Sequence, residues 1–151
     1  MKWIIYILLL AAASILPERA TDVGRLIPVE VIAVSEEAGT IYIETDTGDC
    51  GKGKTLSEAV TDMQETASGV IYLDTAEYLI LEEGMEAAAK PMEAYLKSDV
   101  RVCAGKSGMQ LEGIADYLSN HKPEVRLCKV GHNTTLPVIS EENGRYHIRV
   151  K

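Results

Sequence analysis

The chain has 151 residues, of which 46% are hydrophobic and 25% are charged, and its formal net charge at pH 7 is −8. This length fits one domain with its own apolar core and is short for two. The acidic balance argues against nucleic-acid binding, because neutralising phosphates requires clustered Lys and Arg side chains. Phe is absent and Trp occurs once, so the core must be built from aliphatic residues, Met and Tyr.

The N-terminus carries an uncharged apolar run over residues 3–16, preceded by Lys2 and followed by Pro17, Glu18 and Arg19. The run is shorter than the ~20 apolar residues that usually span a bilayer. Its length and the small residues Ala11–Ala13 are typical of a secretory signal. We therefore predict that residues 1–19 form a signal peptide or a short membrane anchor. The alternative is a buried first helix, although the run has no polar face.

Residues 20–151 are then expected to form a single extracytoplasmic domain, secreted or held at the cell membrane by residues 3–16. The segments 27–34 (IPVEVIAV) and 40–46 (TIYIETD) flank a turn-forming SEEAG and predict a β-hairpin. A helix follows, because apolar residues recur at helical spacing on one face: Leu56, Ala59, Val60, Met63 and Ala67. Thr55 and Glu58 fit a capping box at its start.

Strands are predicted at 70–74, 77–83, 99–104, 125–130, 136–139 and 145–150, the last two joined by a turn at 142–144. A helical stripe over 83–98 is interrupted by Pro91, which should kink or divide it. A second capping-box pattern, Ser107 to Gln110, predicts a helix through Leu118. The sequence thus predicts an α+β fold: a mixed, largely antiparallel sheet with about three helices packed on one face.

Residues 48–55, GDCGKGKT, satisfy the P-loop pattern G-x-x-x-x-G-K-[ST] that binds nucleotide phosphates. However, the preceding strand alternates like a half-exposed antiparallel strand, whereas a P-loop strand is buried in a parallel sheet. The carboxylates of Glu44, Asp46 and Asp49 would repel a triphosphate, and Thr55 already has a role as helix cap. We predict no nucleotide cofactor, with a small P-loop nucleotide-binding protein as the alternative.

The three cysteines, Cys50, Cys103 and Cys128, allow one pair in an oxidising compartment, with Cys103 and Cys128 the preferred partners. Their spacing fits no zinc pattern, and the histidines, at positions 121, 132 and 147, are scattered. No catalytic, cofactor-binding or metal-binding residue is predicted. A third hypothesis, a secreted enzyme with Cys50 as nucleophile, rests on the position of Cys50 before a helix N-terminus.

Three segments resemble the N-terminal domain of the Ger(x)C family, the C subunit of bacterial spore germinant receptors: GKGKTLSEAVTDM (51–63), VIYLD to AGKSG (70–108) and LPVISEENGRYHI (136–148). The shared features are a glycine-rich loop before a short helix, a strand pair, an acidic pair before a second helix and a strand containing Arg101. Members of that family are lipoproteins with a cysteine after the apolar segment, whereas AAASILPERA has none.

The resemblance implies a non-catalytic domain related to spore germination and sporulation proteins. It also implies protein partners at the membrane or the spore envelope. The sequence therefore leads to the expectation of a non-enzymatic, exported domain that acts through protein–protein contacts.

Overall fold

A computed structural model describes residues 23–131 and 133–150. The strands in chain order are β1 (Leu26–Pro28), β2 (Val31–Glu37), β3 (Thr40–Thr45), β4 (Cys50–Gly53), β5 (Val70–Tyr72), β6 (Tyr78–Glu82), β7 (Arg101–Gly105), β8 (Val138–Glu142) and β9 (Arg145–Arg149). The α-helices are α1 (Leu56–Thr66), α2 (Ala89–Met92) and α3 (Ile114–Asn120). Short 3-10 helices lie at Val23–Arg25, Leu73–Thr75, Glu86–Ala88 and Leu127–Lys129.

Seven strands form one mixed sheet in the order β4-β3-β2-β6-β7-β8-β9. The central pairs β2–β6, β6–β7 and β7–β8 are parallel, and the flanking pairs β3–β4, β2–β3 and β8–β9 are antiparallel. The predicted α+β class, with a mixed sheet and three helices, is confirmed for the described residues. Antiparallel pairing is confined to the two ends of the strand order, because β2–β3–β4 form a meander and β8–β9 form a hairpin.

The helices cover both faces of the sheet. Leu79 and Leu81 of β6 point into one apolar cluster, to which α1 and α2 contribute. Tyr78 and Ile80 of the same strand point into a second cluster, which is covered by α3. The prediction of helices on one face was therefore wrong. The continuous apolar run in β6 is the pattern of a strand buried on both faces.

Helix α1 agrees with its predicted stripe and cap. Leu56, Ala59, Val60 and Met63 are its buried residues. The Thr55 hydroxyl accepts a hydrogen bond from the Glu58 amide at 3.2 Å. The Glu58 carboxylate in turn accepts from the Lys54 amide at 2.8 Å. The capping box thus forms, with the carboxylate reaching one residue beyond the N-cap.

Both predicted hairpins are also present. In the β2–β3 turn, Ala38 and Gly39 have φ values of 50° and 77°. In the β8–β9 turn, Asn143 and Gly144 have φ values of 54° and 70°. Two successive residues with positive φ are the signature of the two-residue turn that matches strand twist.

Three predicted elements differ in the structure. The segment 83–98 holds only a 3-10 turn and the four-residue α2, where Pro91 is tolerated because the first helical turn leaves its amides unbonded. Helix α3 begins at Ile114, after Gly113 with φ 77°, and not at the Ser107 capping pattern. The segment 125–130 bridges β7 only through Arg126 and Arg101 and then forms a 3-10 turn.

The predicted strand 27–34 is divided in two. Its first part, β1, leaves the main sheet and pairs in parallel with β5. The Gln64 side chain of α1 bonds both the amide and the carbonyl of Ile71 in β5, at 3.1 and 2.9 Å. The Thr75 hydroxyl accepts from the Val29 amide at 3.0 Å. Side chains thus hold this small ribbon beside the main sheet.

The predicted pair of Cys103 and Cys128 is not formed, and all three cysteines are free. Cys103 lies in β7 and belongs to the cluster under α3. Cys128 lies in the 3-10 turn Leu127–Lys129, where it is exposed, and its amide donates to the carbonyl of Ser98. One thiol is therefore buried under α3, and the other is open to solvent. Burial raises the pKa of the Cys103 thiol to about 12.

The predicted signal peptide or anchor, residues 1–19, lies outside the described residues. Among the described residues, no helix has both the length and the apolar character needed to cross a membrane.

Candidate functional site

The P-loop-like segment is an extended edge strand and not a loop that wraps around a phosphate. Cys50–Gly53 form β4, which pairs antiparallel with β3. Backbone amides along residues 48–54 already donate to protein groups: Gly48 to the Thr45 carbonyl, Asp49 to the Thr45 hydroxyl, Lys52 to Asp62 and Lys54 to Glu58. A P-loop uses such amides to bind phosphates. This geometry does not favour the nucleotide-binding alternative.

The glycines of this segment allow α1 to lie directly on the strand. A Cβ atom on Gly51 would lie 2.2 Å from the Ala59 carbonyl oxygen and 2.5 Å from the Met63 amide. A Cβ atom on Gly53 would lie 2.4 Å from the Cβ atom of Glu58. Close approach between a strand and a helix therefore explains the GxG spacing without a nucleotide.

Cys50 is exposed and faces an acidic cleft of about 560 Å³. The charged residues among the described ones that line this cleft are all carboxylates: Glu44, Asp46, Asp49 and Glu112. A cysteine nucleophile is usually activated by an adjacent histidine or by a cation that stabilises the thiolate. The lining contains neither, and its carboxylates disfavour a thiolate, so this geometry does not favour the Cys50 enzyme hypothesis.

A polar cleft of about 560 Å³ lies at the amino ends of β2, β6 and β7. It contains both cations and carboxylates, among them Lys97, Arg101, Arg126, Asp74 and Glu77. The Arg101 guanidinium is already engaged, because it donates to the Pro123 carbonyl at 2.6 Å. The mixture of signs gives no clear preference for an anionic or a cationic ligand.

The candidate site is a cleft with a mainly apolar lining, at the other end of the parallel strands. We call it the apolar groove. It lies between the start of α1 and the segment 84–95, has a volume of about 560 Å³, and is lined mainly by Ile41, Leu56, Met85, Ala88, Pro91 and Tyr95. This volume is within the range of sites that bind ligands or partner side chains.

Two features of the segment 84–95 shape the groove. Gly84 has φ 96°, a conformation that side chains disfavour, and it turns the chain sharply after β6. The small residues Ala87, Ala88 and Ala94 then line the groove, and the larger Met85 and Tyr95 remain only partly buried. Met85, Ala88 and Tyr95 pack against the core and remain partly accessible in the groove.

Carboxylates lie near the Gly84 end of the apolar groove. Glu36 is in its lining, and Glu83 and Glu86 line a neighbouring cleft that shares Gly84. The Glu82 carboxylate accepts a hydrogen bond from the Glu36 amide at 2.7 Å, which holds the ends of β2 and β6 together. The nearest basic residue on α2, Lys90, forms an ion pair with Glu93 at 2.5 Å.

The sequence predicted no site residues, and it did not predict the apolar groove. The helical spacing in the sequence predicts one apolar stripe of Met85, Ala88, Ala89, Met92, Tyr95 and Leu96. In the structure Met92 and Leu96 are buried, whereas Met85, Ala88 and Tyr95 are only partly buried. The sequence did contain one signal for the groove, namely Pro91, which predicts an interrupted helix. A short helix cannot bury its whole apolar stripe.

The histidines and other potential metal ligands bring no further site together. His121 stacks on Tyr117 with ring centroids 4.3 Å apart, and His132 lies outside the described residues. No group of three His, Cys, Asp or Glu side chains suited to a metal ion occurs within 23–131 and 133–150.

This chain matches no known protein family, no curated protein and no solved structure. The resemblance to the Ger(x)C N-terminal domain therefore stays a prediction.

Proposed function

We propose that this protein is a non-enzymatic, extracytoplasmic domain that acts through protein–protein contacts at the membrane or the spore envelope. The observation that carries the proposal is the apolar groove. Proteins expose contiguous apolar surface mainly where a partner or ligand binds. Clusters of this kind resemble the apolar centre of protein interfaces.

A protein segment fits the groove because the groove is open to solvent. Ala87, Pro91 and Ala94 line it and are exposed, whereas small-molecule sites enclose most of the ligand surface. An extended segment of a partner would cover these side chains.

The location in the proposal is supported by the sequence. The apolar run at residues 3–16 is typical of export, and the resemblance to a germinant-receptor domain implies a place at the membrane or the spore envelope. A net charge of −8 is compatible with a soluble surface that selects partners by charge.

Localisation tests the proposal. A C-terminal tag in the native host should be accessible to protease in intact cells, and the tagged protein should fractionate with spores as they form. Recovery of the protein in the cytoplasmic fraction, protected from protease, would refute the proposed location.

Site-specific crosslinking tests the contact itself. A photo-crosslinking amino acid at Ala94, in the groove, should give a discrete higher-mass product in sporulating cells. The matched control places the same amino acid at Ser119, an exposed position on α3. Equal products from both positions, or none from Ala94, would contradict a partner in the groove.

A further inference from the structure

We infer that the occupant of the apolar groove is a protein segment in which a few apolar side chains are followed or preceded directly by Lys or Arg. The inference rests on the proposed function, in that it takes the groove to be a protein contact. It adds the chemical class of the partner, which the groove's surroundings define.

A second cleft continues the apolar groove beyond Gly84. Gly84 lines both clefts, and the second, of about 370 Å³, also contains Glu83, Glu86 and Thr135. Because Gly84 has no side chain, no side chain projects between the two clefts at this position. A segment lying along the surface would place apolar side chains in the first cleft and the next side chains in the second.

The charges at this junction have one predominant sign. Glu36 lines the apolar groove, and Glu83 and Glu86 line the second cleft. Among the described residues, neither cleft has Lys or Arg in its lining, and Lys90 of α2 pairs with Glu93. A segment with Lys or Arg beside its apolar residues complements this arrangement, and an acidic segment is repelled.

The two parts of the site have different tasks. Burial of apolar surface in the groove supplies most of the affinity. The exposed carboxylates add little to affinity individually because water and salt screen them. They mainly accelerate association and exclude acidic segments. Selectivity for a basic flank should therefore decrease as salt is added.

Selection from random peptides tests this inference directly. The full-length protein, immobilised through its C-terminus, is used to select 12-residue peptides displayed on phage, and selected peptides are synthesised and titrated. We expect selected peptides to share an apolar cluster next to at least two Lys or Arg residues. Binding should weaken at least threefold between 50 and 500 mM salt.

Three variants assign the binding to the groove and to its charges. Ala94→Trp fills the groove from an exposed position and should abolish binding without affecting thermal unfolding. The double variant Glu83→Gln/Glu86→Gln should weaken binding of the basic peptides about tenfold. The matched control, Glu112→Gln/Glu142→Gln, removes the same charge at two exposed positions elsewhere and should bind as the wild type does.

The possible outcomes separate this inference from the proposed function. The selected peptides could lack basic residues and still fail to bind the Ala94→Trp variant. This result would refute the charge assignment and leave the groove as a protein contact. Peptides insensitive to Ala94→Trp, or no selected peptides, would refute the inference. If the wild-type protein self-associates and Ala94→Trp does not, the occupant of the groove is a second copy of this chain. This result would also refute the inference. Crosslinking from Ala94 in cells tests the proposed function independently.

Discussion

The two edges of the seven-stranded sheet are closed in different ways. At β4 the helix α1 lies against the strand, and its Asp62 carboxylate accepts from the Lys52 amide at 2.9 Å. At β9 two tyrosines contribute: the Tyr117 hydroxyl accepts from the Ile148 amide at 2.9 Å, and the Tyr146 hydroxyl donates to the Gln110 carbonyl at 2.9 Å. Asp62 and Tyr117 each occupy an edge amide that could pair with another strand, whereas the Tyr146 hydroxyl ties β9 to the segment before α3.

The difference shows what each closure demands of the sequence. The β4 edge needs glycine, because α1 approaches so closely that no Cβ atom fits at Gly51. The β9 edge needs two long aromatic side chains, and the strand itself is free to vary. An edge closed by backbone contact should therefore be more sensitive to substitution than an edge closed by side chains.

The largest effect is expected for Gly51→Ala. Its new Cβ atom would clash with backbone atoms of α1, so the helix must move away from the strand. We expect a loss of about 3 kcal/mol in the free energy of unfolding, as for severe overpacking. Urea denaturation measures it.

Gly131→Ala is the control for Gly51→Ala, because the closest atom to its new Cβ lies 3.8 Å away. Its effect should stay within about 0.5 kcal/mol. Similar values for the two variants would show that α1 does not pack rigidly on β4.

A smaller effect is expected at the β9 edge. Tyr117→Phe and Tyr146→Phe each remove a hydroxyl and its hydrogen bonding and keep the ring packing. Each should lower the free energy of unfolding by about 1 kcal/mol. Tyr72→Phe is the matched control, because this side chain is 43% exposed. A loss of about 3 kcal/mol in either edge variant would contradict the proposed contrast between the edges.

Loss of the hydroxyl group that caps the start of α1 should change the free energy of unfolding by a similar amount. Thr55→Ala removes the N-cap and should lower the free energy of unfolding by about 1 kcal/mol. Thr55→Ser keeps the hydroxyl and should retain most of the stability. If the two variants are equally destabilised, the cap does not hold α1 against β4.

The smallest effect on stability is expected for Asp62→Ala. The lost hydrogen bond is exposed, and the higher helix propensity of Ala offsets part of its contribution, so the net change should be about 0.5 kcal/mol or less. The sensitive measurement is hydrogen exchange of the Lys52 amide, which should become faster. Asp62→Asn keeps an acceptor oxygen and should exchange more slowly than Asp62→Ala. Unchanged exchange in both variants would show that Asp62 does not protect this edge.

Local signals predicted much of the fold. The stripe and cap of α1 and the two hairpins depend on residues close together in the chain, and they are present as predicted. The segment 125–130 has the composition of a strand but forms a 3-10 turn. β7 already pairs with β6, and its other edge joins β8 at Ala104, which leaves room for a single bridge.

The candidate site was less predictable than the fold. Apolar spacing alone does not distinguish Met92, which is buried, from Tyr95, which stays partly exposed, because both occupy the same predicted stripe. Only the position of α1 relative to the segment 84–95 leaves a groove between them.

The sequence by itself determined the α+β class, the acidic charge, the cap of α1 and the two tight turns, because these depend on composition and on residues within a few positions of each other. The tertiary structure alone decided that GDCGKGKT is an edge strand beneath a helix and that helices cover both faces of the sheet. It also decided that an apolar groove meets a cluster of carboxylates at Gly84. These features depend on which distant segments pack together, and packing is set by the combined shape of the whole core.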